Sequence, residues 1–434
     1  MSIKYINGHK GIIKYDSVTN RIEIIQPNEQ NEVFSDDTTI LPIEIGFSPT
    51  EIARLAESHV EALTLSVTEN CNYRCGYCIY DHKYQNGYCK TNMDLSTALS
   101  AIDLYFSHSK DNCVKSIGFY GGEPLLNFKL IKKCVEHIES LLFGEIVNYS
   151  ITTNGMLLHD NNIRSFLIDK SFDILVSLDG PAAIHDKYRR TVLNNDTHTT
   201  IIRALRAIHS CAPEYFEQHV AINAVVWDTR AQNLLASYFN SFPNSIQFSP
   251  LYATTRFASL LQRDLEKINS YAVPVCLSQN HKQSNHMLAR KLRYIHEALK
   301  LPAVYDKIVM SNTCIPGVRK LFVATRGDIY ICEKTNDNDL RYVIGNVTTG
   351  IQIERIQALI DNFICAINAQ CGQCWAIRFC RVCYAHIDSK GTIQSNFCNE
   401  TKTRVESDLC EYVRLFNNCT DVDKLFTDHD EVEI

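Results

Sequence analysis

The stretch ENCNYRCGYCIY, residues 69–80, sets Cys71, Cys75 and Cys78 in a C-x3-C-x2-C pattern. Two or three intervening residues let a short loop curl its thiolates around one inorganic core. Zinc sites favour paired C-x2-C knuckles that close a tetrahedron with four ligands. Here the local count is three, with only Cys89 and His82 nearby as candidates for a fourth. Three thiolates on a four-iron cluster would leave one iron open to a substrate or cofactor, and that vacancy is the chemistry the spacing suggests. Seven further cysteines form a second set at positions 314, 332, 371, 374, 380, 383 and 398.

Bulk properties narrow the setting. The chain has 434 residues, is 45% hydrophobic and 21% charged, and can bury a large core divided between two or three domains. Lys and Arg number 43 against 49 Asp and Glu, a net charge of -6, so no basic excess points to nucleic acid or an anionic membrane. The opening MSIKYINGHKGIIKYD has no apolar h-region, and no apolar run reaches the ~18 residues a spanning helix needs. The expectation is a cytoplasmic protein. Reducing compartments do not sustain structural disulfides, so 18 cysteines point to metal binding or redox chemistry.

The elements that must position the first motif follow from residue 62 onward. Short apolar, β-rich runs alternate with segments of helical period: ALTLSVTEN, a helix from about Leu95, SIGFYGGEP, LIKKCVEHIESLLF, NYSITTNG, a helix near 160–170, FDILVSLDG, TTIIRALRAIHSC, VAINAVVW, a helix near 231–240 and SIQFSPL. Six near-continuous apolar strands alternating with helices predict an α/β fold with a parallel sheet, a partial (β/α)6 barrel. Ligands of such sheets gather at the carboxyl ends of the strands. Cys71, Gly121–Pro124, Thr152–Gly155 and Ser177–Gly180 all fall there. Residues 1–60 form a separate β-rich element, with GIIKYDSVTNRIEII patterned as a hairpin around SVTN. It could cap the barrel or dock a peptide. The barrel is expected over residues 61–300. Beyond about 300 the α/β rhythm gives way to cysteine-rich loops and a final helix near 400–416.

CNYRCGYC, with the aromatic Tyr77 before its third cysteine, resembles the cluster motif of radical S-adenosylmethionine (SAM) enzymes. GGEP at 121–124, TTNG at 152–155, SLDG at 177–180 and HDKYRR at 185–190 follow in that family's order and spacing. The resemblance implies that the open iron is chelated by the amino and carboxylate groups of SAM, and that one-electron reduction cleaves its carbon–sulfur bond to a 5′-deoxyadenosyl radical. It also assigns cofactor-binding roles. Gly121 and Gly122 would let the SAM amino group approach the backbone, with Glu123 as acceptor. Asn154 and Ser177 suit the ribose hydroxyls or the methionyl group, and Asn223 and Val225 the adenosine edge. Arg189 or Arg190 would pair with the SAM carboxylate.

The second cysteine set resembles the SPASM extension, the auxiliary-cluster domain of radical SAM enzymes that often act on peptides. Twelve residues separate Cys314 from Gly327 and four separate Gly327 from Cys332, as in that pattern, whereas Cys380 and Cys383 stand two residues apart instead of three. The resemblance implies, over residues 301–434, two auxiliary [4Fe-4S] clusters, hence three in all. Cys371, Cys374, Cys380 and Cys398 would close one. Cys314, Cys332 and Cys383 would hold the inner one, with Cys365 and Cys89 as spare ligands. Structural zinc is the alternative for these pairs.

Such an enzyme takes hydrogen from an unactivated carbon of a precursor peptide and draws electrons from a low-potential donor such as flavodoxin or ferredoxin. An open iron on the inner cluster would let a peptide thiolate bind and couple to the carbon radical, giving a thioether. The expected function is a maturase of ribosomally made peptides that forms a thioether or carbon–carbon cross-link. The alternatives are an anaerobic sulfatase-maturing dehydrogenase that makes formylglycine, and a non-catalytic iron–sulfur carrier or sensor. Glu333, directly after Cys332, is the candidate base.

Overall fold

The computed structural model describes residues 3–8, 11–25, 41–78, 80, 91–226, 235, 238–239, 246–250, 292–301, 307–310, 313–335, 339–393, 395–418 and 426. Cys89, His82 and most of the segment read as a helix near 231–240 lie outside the described residues. The chain divides into two compact units, one of Pro49–Cys276 with Ile315–Ile356, the other of Met1–Ser48, Leu277–Cys314 and Gln357–Ile434. In chain order the strands are β1 (Ile3–Gly8), β2 (Gly11–Asp16), β3 (Arg21–Ile25), β4 (Ile43–Ile45), β5 (Ala62–Thr68), β6 (Val114–Gly121), β7 (Ile146–Thr153), β8 (Asp173–Ser177), β9 (Val220–Val226), β10 (Ile246–Pro250), β11 (Ile308–Met310), β12 (Leu321–Val323), β13 (Asp328–Tyr330), β14 (Val343–Asn346) and β15 (Gly350–Ile351).

The first unit is an α/β sheet in which β5 to β10 lie side by side in chain order, every neighbouring pair parallel. This is the partial (β/α)6 barrel expected from the alternation. Leu63, Leu65 and Val67 of β5 and Ile117 and Phe119 of β6 are buried, as are residues of the covering helices such as Ala98, Ile102, Ile131 and Ile138. A parallel strand covered in this way reads as a nearly continuous apolar run. Caps fix where the helices start: the Asp94 carboxylate accepts from Thr97 N at 2.7 Å and that of Asp160 from Asn162 N at 2.7 Å. Each strand therefore delivers its carboxyl end, and the polar residues just beyond it, to the same edge of the sheet.

The sheet does not stop at β5. β12 pairs parallel with β5, and β13, β14 and β15 continue it antiparallel. At the turn between β12 and β13, Gly327 has φ +89°, and a Cβ there would lie 2.8 Å from Val347 Cγ2. The glycine of the cysteine pattern thus serves the tight turn that brings Cys332 back beside the barrel. Residues beyond 300 are also less loop-like than the sequence reading holds. Ile353–Cys371 is a 19-residue helix whose Ile356, Ile360, Phe363 and Ile367 are buried. That three-to-four spacing is the helical signal.

In the second unit, β1, β2 and β3 form an antiparallel sheet, and Asp16 pairs with Arg21 across the SVTN turn. The hairpin expected at 11–25 is present, with β1 added beside it. Ile6, Ile13 and Tyr15 pack with Leu292, Ile295, Phe379, Val405 and Leu409 in one core, the last two from the helix Ser395–Asn418. Among the described residues, no helix is long and apolar enough to cross a membrane.

Candidate active site

The loop after β5 carries Cys71, Cys75 and Cys78, all half-buried. The Tyr73 N–H donates to Cys71 Sγ at 3.4 Å, and Cys78 N to Cys75 O at 3.1 Å. Burial pushes the Cys71 thiol up to about 11, despite that hydrogen bond, and the Cys78 thiol up to about 12, with Cys75 beside it adding to the shift. Burial likewise raises Cys75. Thiols so disposed ionise only against a compensating cation, which suits this donor set to a metal core. Among the described residues, no three His, Cys, Asp or Glu side chains are grouped for a single metal ion.

HDKYRR straps this loop in place. Arg74 N donates to Arg190 O at 2.8 Å, Gly76 N to Tyr188 O at 2.9 Å and Val192 N to Asn72 O at 3.0 Å. The two arginines then part. Arg190 is spent on its own loop, with Nε on Asp186 O at 2.8 Å, Nη1 on Asn194 O at 2.7 Å and Nη2 on Asp196 Oδ1 at 2.9 Å. Arg189 is buried, and its Nη1 donates to the Tyr77 hydroxyl at 2.7 Å. Its guanidinium carbon lies 6.0 Å from the Tyr73 ring centroid and 5.9 Å from that of Tyr77. Arg189 Nε is buried with no hydrogen-bond partner. A buried donor of a charged group left unmade is costly, and such an orphan marks a place where a ligand acceptor fits.

The GGE segment serves the loop differently from the sequence reading. A Cβ at Gly121, whose φ is +133°, would lie 2.2 Å from Thr68 O, and one at Gly122 would lie 2.4 Å from Asn70 O. Gly122 N and Glu123 N donate to those carbonyls at 2.9 and 2.8 Å. The missing side chains therefore make room first for the start of the cysteine loop. Gly121→Ala is expected to destabilise the protein by about 2–3 kcal/mol through overlap and backbone strain, read from the denaturant midpoint at constant slope. An unchanged midpoint would contradict the close approach.

Glu123 is fully buried, and its carboxylate is already occupied. Oε1 accepts from Thr153 Oγ1 at 2.8 Å and Leu125 N at 3.2 Å, and Oε2 from Asn154 N at 2.7 Å. It pins the end of β6 to the end of β7. Asn154 passes the constraint on: Nδ2 donates to Asn72 Oδ1 at 2.7 Å, inside the cysteine motif. Ser177 and Asn223 are paired across β8 and β9, and Asn223 and Val225 occupy the half-buried face of β9 opposite the buried Ile222 and Ala224. Polar residues thus stand at four successive strand ends, and those of β6 and β7, Glu123 and Asn154, are hydrogen-bonded to the cysteine loop.

Sequence reasoning missed Asp179, although it quoted SLDG. Its carboxylate is buried, accepts from the Tyr77 hydroxyl through Oδ2, and accepts from Val225 N at 3.1 Å through Oδ1. The sequence signal was an acid two residues beyond a strand whose alternate residues are buried. Tyr120 was missed as well: it is the penultimate residue of β6, packs edge-on to Tyr80 and Phe322, and burial raises its pKa, with Glu333, Cys78 and Cys332 close enough to add to the shift.

Cys332 and Glu333 follow β13 in the same unit. Burial first, then the Glu333 carboxylate, pushes the Cys332 thiol up to about 12. Burial opposes ionisation of Glu333, but Lys320, with Nζ 3.1 Å from Oε2, a backbone N–H and Lys334 together outweigh it and hold the carboxyl below its usual range. Tyr80 donates to Glu333 O at 3.2 Å. In the other unit, Cys371, Cys374, Cys380 and Cys398 are electrostatic neighbours; burial, then these thiols, raises Cys371 to about 12. Burial also raises Cys380 to about 12 and raises Cys398, each with Cys374 nearby. Cys314 and Cys383 both act on buried Tyr384, and Thr313 Oγ1 reaches Val382 O at 3.4 Å.

Residues 65–225 match the model of the Radical SAM superfamily. An uncharacterized protein of Methanocaldococcus jannaschii is 37% identical over 273 residues, 62% of this chain and 84% of that protein. A cysteine-type anaerobic sulfatase-maturating enzyme of Clostridium novyi is 29% identical over 34% of this chain, and the radical SAM cyclopropyl synthase TigE of Paramaledivibacter caminithermalis is 28% identical over 46%. The matched stretches span 40% and 41% of those two enzymes. The solved structure of native anSMEcpe with bound AdoMet and Kp18Cys peptide shares the fold at a TM-score of 0.57 and 19% identity, over 83% of this chain and 98% of that one. With the six parallel strands β5 to β10 and the C-x3-C-x2-C loop at their carboxyl edge, these likenesses establish that the chain belongs to the radical SAM superfamily.

Proposed function

We propose that the chain is a radical SAM peptide maturase that forms a thioether or carbon–carbon cross-link in a ribosomally made precursor. The observation that carries the SAM reading is Arg189, a buried cation whose Nε lacks a partner beside a loop of three half-buried thiols. Cys71, Cys75 and Cys78 would hold a four-iron cluster, leaving one iron for SAM. When bound, cluster and SAM together supply reductive carbon–sulfur cleavage and a radical able to abstract hydrogen. This chain's residues orient that pair. Arg189 receives the SAM carboxylate, and Arg190 stays in its loop. Asn154, Ser177, Asn223 and Val225 line the nucleoside side, while Gly121, Gly122 and Glu123 act mainly by fixing the loop. Tyr77 closes the site against Asp179.

The cysteine-rich region supports a SPASM-like role. Cys371, Cys374, Cys380 and Cys398 would hold one auxiliary cluster with four thiolates. Cys314, Cys332 and Cys383 remain the ligands that the sequence pattern assigns to a second, with Cys365 and Cys89 as candidates for a fourth thiolate. Glu333, kept ionised by Lys320, would accept a proton from substrate at its carboxylate. Electrons would come from flavodoxin or ferredoxin, and residues 1–60 would help dock the peptide. Peptide chemistry is favoured by the names of the relatives, one maturating a sulfatase and one structure holding a peptide.

A second reading, formylglycine formation, draws on the same sulfatase-maturating relative; the lack of an eighth motif cysteine beside the seven at 314, 332, 371, 374, 380, 383 and 398, and the additional N-terminal hairpin region, weigh against it. Incubating the iron-loaded protein with a cysteine-containing candidate precursor and with a sulfatase-derived cysteine peptide separates them. Cross-linking removes two hydrogens, and blocks the thiol when the new bond is a thioether, whereas formylglycine formation removes two hydrogens and also exchanges the cysteine sulfur for oxygen. The second product alone would overturn the maturase.

A further inference from the structure

Asp179 sits in a closed ring of hydrogen bonds that returns twice to Arg189. On the side-chain path, Asp179 Oδ2 accepts from Tyr77, and the Tyr77 oxygen accepts from Arg189 Nη1 at 2.7 Å. On the backbone path, Asp179 N donates to His185 Nδ1 at 3.1 Å. The His185 proton must then lie on Nε2, which donates to Thr197 Oγ1 at 3.0 Å. The Thr197 hydroxyl in turn donates to Arg189 O at 2.7 Å. Both ends of Arg189 are thereby tied to Asp179, and every member of the ring except Tyr77 is buried in the residue sense. Asp179 Oδ1 on Val225 N fixes the ring to the end of β9.

We infer that Asp179 is a positioning residue that, through Tyr77, holds the Arg189 guanidinium with its Nε edge turned to the carboxylate of SAM. The inference rests on the proposed SAM site and goes beyond it by assigning the group that sets Arg189. Nη1 is anchored, so Nε remains to make the charge-assisted contact at little cost in side-chain freedom. Without the Asp179 charge, the guanidinium is free to turn toward the neighbouring thiolates, and the contact is lost. Removing a carboxylate gives no compensating gain, because SAM carries two positive groups against one negative.

The test uses iron-loaded holoprotein, with SAM affinity measured by equilibrium dialysis and iron counted per chain. Asp179→Asn keeps the shape and is expected to bind SAM at least about tenfold more weakly at unchanged iron content. Tyr77→Phe, which keeps the ring, should reproduce the loss and stands in if Asp179→Asn fails to fold. The double variant Asp179→Asn/Arg189→Gln should bind no worse than Arg189→Gln, because the two act as a unit. Unchanged or tighter binding in the single variants, additive losses, or a loss that only follows missing iron would each overturn the inference. Wild-type holoprotein that fails to bind SAM would instead sink the site reading beneath it.

Discussion

Replacing Cys71, Cys75 and Cys78 together by alanine abolishes 5′-deoxyadenosine formation and leaves about eight of twelve irons bound, if three four-iron clusters are present. The effect is all-or-none because the three thiols share one loop. Burial suppresses ionisation of each, so each thiolate depends on the core that the others help to hold. Iron analysis and product chromatography on the same sample check both halves. Retained cleavage in the triple variant would overturn the assignment of the loop, and loss of all iron would contradict separate cysteine sets.

Glu123→Ala is expected to cost about 3–5 kcal/mol of stability, since it strands two buried backbone N–H groups and the Thr153 hydroxyl. Glu123→Gln should cost less, because its amide oxygen still accepts, while its NH2 meets a donor. The pair also carries a pH signature. Burial, only partly offset by those donors, raises Glu123 to about 7. A carboxyl raised above its unfolded value of roughly 4.3 contributes stability below that value and loses it as pH rises through about 7. The stability gap between wild type and Glu123→Gln should therefore narrow as pH rises toward 7 and stay level above it. Denaturant titrations at several pH values read both effects. A gap that widens with pH would mean that the donors, and not burial, control the carboxyl.

The barrel was legible because a buried parallel strand shows itself in few residues. ALTLSVT, SIGFYG and FDILVS are apolar runs, and residues at or just beyond their carboxyl ends, Thr68, Glu123 and Asp179, are hydrogen-bonded to the cysteine loop. What stayed hidden was the purpose of individual residues. GGEP looked like space for a ligand; the backbone of Thr68–Asn70 fills much of it, a close approach that composition cannot reveal. Arg189 and Arg190 are adjacent and chemically identical in sequence. Only the helix Ala182–Tyr188 and the loop after it decide that one is buried against Tyr77 and the other pairs with Asp196. Asp179 escaped notice because its worth lies in a tyrosine 102 positions away. Beyond residue 300 the cysteines drew the reading away from the buried Ile356, Ile360 and Phe363, and so from a helix whose last residue, Cys371, is itself a candidate ligand.

The claim on which the rest depends is that three thiolates and one buried arginine form a site that binds and splits SAM. It is tested most directly by reducing iron-loaded protein anaerobically in the presence of SAM and quantifying 5′-deoxyadenosine. The expected result is production of 5′-deoxyadenosine by the wild-type chain, dependent on reductant and on Cys71, Cys75 and Cys78. No 5′-deoxyadenosine from a fully iron-loaded, reduced sample would contradict the enzyme reading and leave a non-catalytic iron–sulfur carrier or sensor in its place.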